Sequence, residues 1–171
     1  MGGVIVDRQP FVICIGEYTD ATLLVIFIPM KLSAALDLVQ NDLPIVVRDK
    51  TFTPRGVDEA RLDTGESIYW VYTKDGMWLS FDPESDEIIL FEDINEELEP
   101  EDETVVYQGE DYEFSYEGVI RVDDDDGGTT TNFKDYQNTD GDVVRIMEDD
   151  ATGDKSYAYG VKITEEDLQE A

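Results

Sequence analysis

The sequence predicts a mainly β protein built from two tandem, related antiparallel units, each a meander or a small open barrel, packed together. Three observations carry that prediction. First, residues 45–91 and 104–159 can be laid over each other with small gaps: Val46-Val47 falls on Val105-Val106, Gly56-Val57 on Gly118-Val119, and Arg61-Leu62-Asp63 on Arg121-Val122-Asp123. Tyr72 falls on Tyr136, Asp75-Gly76 on Asp140-Gly141, and the acidic turn Pro83–Asp86 on Asp149–Asp154. A period of roughly 60 residues is the mark of repeated supersecondary units. Second, both stretches are short runs rich in β-branched and aromatic residues, separated by turn signals. Third, helical periodicity is limited to one stripe after Met30 and a turn near the end.

Taken in order, residues 1–29 stand outside the repeat as an apolar N-terminal extension with few charges. They are expected either to add one or two strands or to lie upstream of the true start, since Met30 opens a natural-looking beginning. Leu32, Ala35, Leu36 and Val39 then recur at the spacing of a short amphipathic helix. The first β unit, with this leading helix, is expected to occupy 30–98. It reads as Ile45–Arg48, a turn at Asp49-Lys50, Thr51–Thr53, then Ile68–Thr73 and Met77–Phe81 joined across Lys74-Asp75-Gly76. An Asp-Gly between alternating residues is a strong hairpin signal. Pro83–Asp86 turns the chain into Ile88–Phe91, and the Glu-rich segment Asn95–Glu103 with Pro100 is the linker. The second β unit, 99–171, is expected to hold strands at Thr104–Tyr107, Tyr112–Tyr116, Val119–Val122, Asn132–Tyr136, Val143–Met147 and Lys155–Ile163. In Tyr112-Glu113-Phe114-Ser115-Tyr116 the aromatics alternate with polar residues, which predicts one dry face and one wet one. Thr164, followed by Glu165 and Glu166, is placed to cap a final helical turn.

Composition restricts function more than it defines it. Among 171 residues, 42 are Asp or Glu and 12 are Lys or Arg, giving a formal charge of −30 with no histidine. Such a surface repels itself at low ionic strength and is relieved by salt. Three readings compete: a solvated acidic surface of a salt-adapted protein, a face for a basic partner, and mimicry of the phosphate array of nucleic acid. Direct nucleic-acid binding is disfavoured, because no basic stripe exists to release counterions. Hydrophobic residues at 41% and aromatics at 11% suffice for a core. The single cysteine, Cys14, lies in an apolar run and is expected to be a buried small hydrophobe. The absence of cysteine pairs fits a reducing compartment, so a cytoplasmic location is expected. The longest apolar run, Leu23–Ile28, falls far short of the roughly 20 residues that span a bilayer.

No motif singles out a chemistry. Asp123–Asp126 followed by Gly127-Gly128 invites a calcium reading, but with Gly127 as the template glycine, Val122 and Phe133 occupy the first and last ligand positions. Gly141 and Gly153 fail similarly, leaving Tyr136, Met147 or Tyr159 at ligand positions. The run reads as an exposed, solvated loop. Triads of the Ser-His-Asp kind and Cys/His zinc sites require a histidine the chain lacks. With 42 carboxylates, pairs at any spacing arise by chance, so no catalytic residue, cofactor or metal ligand is named. Trp70, Tyr72 and Trp78 lie on adjacent strands of the Asp75-Gly76 hairpin and share a face by count. That face is expected either to pack between the two units or to form an aromatic surface that contacts a partner.

Residues from about 42 to 171 resemble the bacterial domain of unknown function 4178. The resemblance rests on the hairpin around Trp78-Leu79 and on Gly109-Glu110-Asp111-Tyr112-Glu113-Phe114, which continues into Gly118-Val119-Ile120-Arg121-Val122. It also rests on Phe133 to Tyr136, Arg145-Ile146-Met147-Glu148 and Tyr157-Ala158-Tyr159-Gly160. Where that family tends to carry a tryptophan after the Glu of the penultimate strand, Asp149 and Asp150 follow Glu148 here. The resemblance implies a small β module without an established activity, in a setting of membrane-stress or polyamine-related proteins. Together these readings predict a non-enzymatic acidic adaptor for a basic or membrane-associated protein. The alternatives are a nucleic-acid mimic that inhibits a DNA-binding protein and, third, a carboxylate-based enzyme or weak cation binder.

Overall fold

The computed structural model describes residues 29–62, 64–122 and 128–171. The readings for residues 1–28, including Cys14, and for the Asp run 123–126 lie outside the described residues. The chain forms α1 (Leu32–Gln40), then β1 (Ile45–Val47), β2 (Lys50–Phe52), β3 (Gly56–Leu62), β4 (Ser67–Tyr72), β5 (Met77–Asp82) and β6 (Glu87–Ile94). After the linker come β7 (Thr104–Tyr107), β8 (Glu110–Val122), β9 (Thr129–Gln137), β10 (Val143–Asp149) and β11 (Lys155–Ile163). A 3-10 turn (Glu165–Asp167) and β12 (Leu168–Glu170) end it.

Each half contributes one four-stranded antiparallel meander, β3–β6 and β8–β11. The two meet edge to edge rather than face to face. β6 pairs with β11 on one side, and β3 pairs with β8 on the other, so the sheet closes into a single eight-stranded barrel. Closure removes the edges that open sheets leave exposed. At the β3–β8 junction, Arg61 and Arg121, which the sequence alignment equates, are direct cross-strand partners. The N-terminal part of β8 continues beyond the barrel and pairs with β7 through a tight Gln108-Gly109 turn, both residues at positive φ.

Three apolar clusters follow from the alternation of strands. Inside the barrel lie Ala60, Leu62, Ile68, Trp70, Trp78, Ile89, Phe91, Ile120, Phe133, Val143 and Ala158. Outside β4–β6, the residues Val71, Leu79, Phe81 and Ile88 are covered by α1 and by the small sheet β12-β1-β2. The predicted stripe of α1, Leu32, Ala35, Leu36 and Val39, is the buried face. Burying each larger side chain is worth about 1.5–3 kcal/mol, which anchors a helix too short to stand alone. Glu165 ties its start down: one carboxylate oxygen accepts the Leu32 N–H at 2.9 Å and the other meets Lys31 Nζ at 2.6 Å. The third cluster, with Tyr112, Tyr136, Val144 and Ile146, lies outside the second meander beneath Leu98 and Val105.

The structure departs from the sequence reading at four points. β3 is a strand in its own right, although its charged residues hide an apolar alternation. Tyr112–Tyr116 and Val119–Val122 are one strand, because Gly118 sits within β8 opposite Phe133. A bulge between Phe114 and Tyr116 shifts the pleat, so the three aromatics of this run do not share a dry face. Tyr112 is buried, whereas Phe114 and Tyr116 are exposed. Finally, the β1–β2 turn is Arg48-Asp49, both at positive φ, one residue earlier than expected.

Candidate functional site

Inward residues of adjacent strands meet in register, and large side chains are set against small ones. Tyr72 pairs with Trp78, Trp78 with Phe91, and Phe91 with Gly160. The Trp78 and Phe91 rings stack with centroids 4.2 Å apart, and Trp70 lies tilted 5.4 Å from Trp78. A Cβ at position 160 would stand 2.5 Å from the Phe91 ring, so only glycine fits. The next row runs Asp93, Ala158, Arg145, Asp135. Here Ala158 leaves space for the arginine to cross the interior.

Arg145 is 5% exposed. Its Nε and Nη2 donate to the two carboxylate oxygens of Asp135, both at 2.8 Å. Its guanidinium carbon lies 4.7 Å from the ring centres of both Phe91 and Phe133, and about 6 Å from those of Trp70 and Trp78. Among the described residues, neither Arg145 Nη1 nor Trp70 Nε1 has a hydrogen-bond acceptor. For Arg145 the ring faces take that role, since a guanidinium between aromatic quadrupoles is stabilised electrostatically.

One end of the barrel carries the β4–β5 turn, the β10–β11 turn and the exit of β6 into the linker. A depression of about 1290 Å³ opens there. Trp70, Tyr72, Trp78 and Met147 contribute its inner wall, with Ile94 and Leu98 from the linker side. Among the described residues, its rim carries Asp93, Glu96, Glu97, Glu99, Asp149 and Asp154, with Lys155 as the cation. The β4–β5 turn is fixed by Gly76 at positive φ and by the Thr73 hydroxyl donating to the Met77 carbonyl at 2.8 Å. That turn is locked to β6, because the Asp93 N–H donates to the Gly76 carbonyl and the Trp78 Nε1–H donates to Asp93 Oδ1 at 3.1 Å. Burial raises the Tyr72 hydroxyl pKa well above its ordinary value, and the negative charges of Asp58 and Asp93 push it further. Asp58, half-buried on the inward face of β3, has its carboxyl raised by burial.

The structure brings Trp70, Tyr72 and Trp78 together on one face, and that face points into the barrel. Trp70 and Trp78 are 5% and 3% exposed, so the indoles follow the packed alternative of the sequence reading, while they also line the floor of the depression. Only Tyr72, half-buried, stands at the mouth. Sequence reasoning missed Arg145 and Asp135. The available signal was an arginine inside the apolar run Val143-Val144-Arg145-Ile146-Met147, where a cation must find a partner. Among the described residues, no group of His, Cys, Asp and Glu is arranged to hold a metal ion, and no helix is long and apolar enough to cross a membrane. No protein-family model, no curated protein and no solved structure matches the chain.

Proposed function

We propose that the chain is a non-enzymatic interaction module whose barrel receives a positively charged segment of a protein partner at the Tyr72 end. The observation that carries this reading is the depression itself. Its wall is aromatic and apolar, and among the described residues its rim carries six carboxylates against one lysine. A concave, apolar surface ringed by one sign of charge concentrates oppositely charged ligands and steers their approach. The formal charge of −30 extends that attraction beyond the depression. A partner with a basic or membrane-adjacent tail fits this chemistry.

The test is binding of purified basic peptides, followed by titration calorimetry across a salt series. Affinity for the basic peptide is expected to fall steadily with salt, and an acidic peptide of equal length is expected not to bind. Absence of binding to any basic peptide at low ionic strength overturns the proposal. If a partner recovered from the native host is displaced by DNA, the nucleic-acid mimic replaces the adaptor reading.

A further inference from the structure

We infer that the depression holds a seat for a single arginine side chain of the partner segment, formed by the Tyr72 ring and the Asp93 carboxylate, with Asp58 behind them on the inward face of β3. This rests on the reading of the depression as the docking end, and it names what is recognised there. Asp93 is prepared for a cation: Trp78 Nε1–H holds Oδ1, which orients the carboxylate and leaves Oδ2 beside the open Gly76 turn. Asp58 faces the interior one pleat along from Gly56, the residue paired with Tyr72. Among the described residues, neither carboxylate forms an ion pair with a lysine or arginine. Trp70 lines the same depression and is 5% exposed, and its buried indole N–H has no acceptor among the described residues. A peptide arginine supplies both missing counterparts, a planar cation for the carboxylates and a neighbouring carbonyl oxygen for the indole.

The barrel already shows the same chemistry in its interior. Arg145 is held by a carboxylate in a two-point contact and flanked by ring faces. Arginine satisfies that arrangement better than lysine, because its planar fork stacks on rings and matches two oxygens at once. C-terminal carboxylates and other anions are disfavoured at the rim by the surrounding carboxylates.

The experiment uses blocked peptides that alternate glycine with arginine or with lysine, and follows the fluorescence of Trp70 and Trp78, the only two tryptophans in the chain. Wild-type protein is expected to bind the arginine peptide more tightly than the lysine peptide. Asp93→Asn keeps an acceptor for Trp78, and it is expected to weaken the arginine peptide by about tenfold or more. Asp58→Asn and Tyr72→Leu are expected to weaken it by smaller factors. Glu113→Gln and Glu166→Gln remove the same charge from exposed positions elsewhere and are expected to change binding by less than about twofold. If Asp93→Asn behaves like Glu113→Gln, or lysine binds as well as arginine, the seat is wrong while the acidic module stands. If neither peptide binds the wild-type protein, the module reading falls and takes the seat with it.

Discussion

The two meanders follow one strand plan yet furnish the barrel interior differently. The first, β3–β6, brings rings: Trp70, Tyr72, Trp78 and Phe91, with Asp93 at the mouth and Asp58 on the inward face of β3. The second, β8–β11, brings the arginine and its carboxylate, with Phe133 as a buried ring and Ala158 and Gly160 as space. Neither half could bury these groups alone. A guanidinium without rings and a carboxylate would face a large desolvation penalty, and the rings without small partners opposite would collide. The interior is therefore complementary across the β6–β11 junction. The outer faces differ as well: α1 and the small sheet cover the first half, and the linker with β7 covers the second.

The largest test of that complementarity is Asp135→Ala. It leaves the Arg145 guanidinium buried beside rings with no carboxylate, and a loss of about 3–5 kcal/mol in denaturant unfolding is expected. Replacing both members by apolar residues of similar size, Asp135→Leu with Arg145→Met, is expected to recover most of that loss. A single Asp135→Ala variant as stable as the wild type would show that Arg145 does not depend on its partner in the second meander.

Second in size is a comparison of two inward glycines at the ends of one register row. Gly160, in the second meander, lies against Phe91 of the first, whereas a Cβ at Gly56 meets no described residue within 4 Å. Gly160→Ala forces a buried ring out of its rotamer and is expected to cost about 1–3 kcal/mol. Gly56→Ala is expected to stay within about 0.5 kcal/mol of wild type. Thermal unfolding of both variants reads the difference, and equal effects would mean that fit across the junction does not limit stability.

Much of the architecture was legible because it depends on local signals. The Asp75-Gly76 hairpin, the linker at 95–103 and the α1 stripe each rest on residues close in sequence. Barrel closure was not legible, because the pairings β6–β11 and β3–β8 join strands far apart in the chain and leave no local mark. The same cause hid the interior. Trp70 and Trp78 were correctly placed on one face, but whether that face met solvent or the opposite meander depended on closure. Tyr72 and Tyr136, equated by alignment, illustrate the limit: Tyr72 faces the interior mouth, while Tyr136 packs outside with Tyr112. Arg145 and Asp135 are ten positions apart and meet only through the β9–β10 register.

The smallest effect separates stability from binding within the first meander. Burial raises the folded-state pKa of Asp58, so folding favours its protonated form. The stabilisation this gives is present in full below the ordinary carboxylate pKa and is lost as pH rises through the raised folded value. At neutral pH the ionised carboxylate is therefore a modest burden, and because the group is only half-buried the burden is less than about 1 kcal/mol. Asp58→Asn is expected to be slightly more stable than wild type at neutral pH, with the advantage fading as the pH falls into the ordinary carboxylate range. Unfolding midpoints across a pH series measure this. A charge kept on the inward face of β3 against stability, and needed by the arginine peptide, is what a binding residue would show. If Asp58→Asn were less stable at neutral pH, the ionised carboxylate would belong to the fold and its place in the seat would be lost.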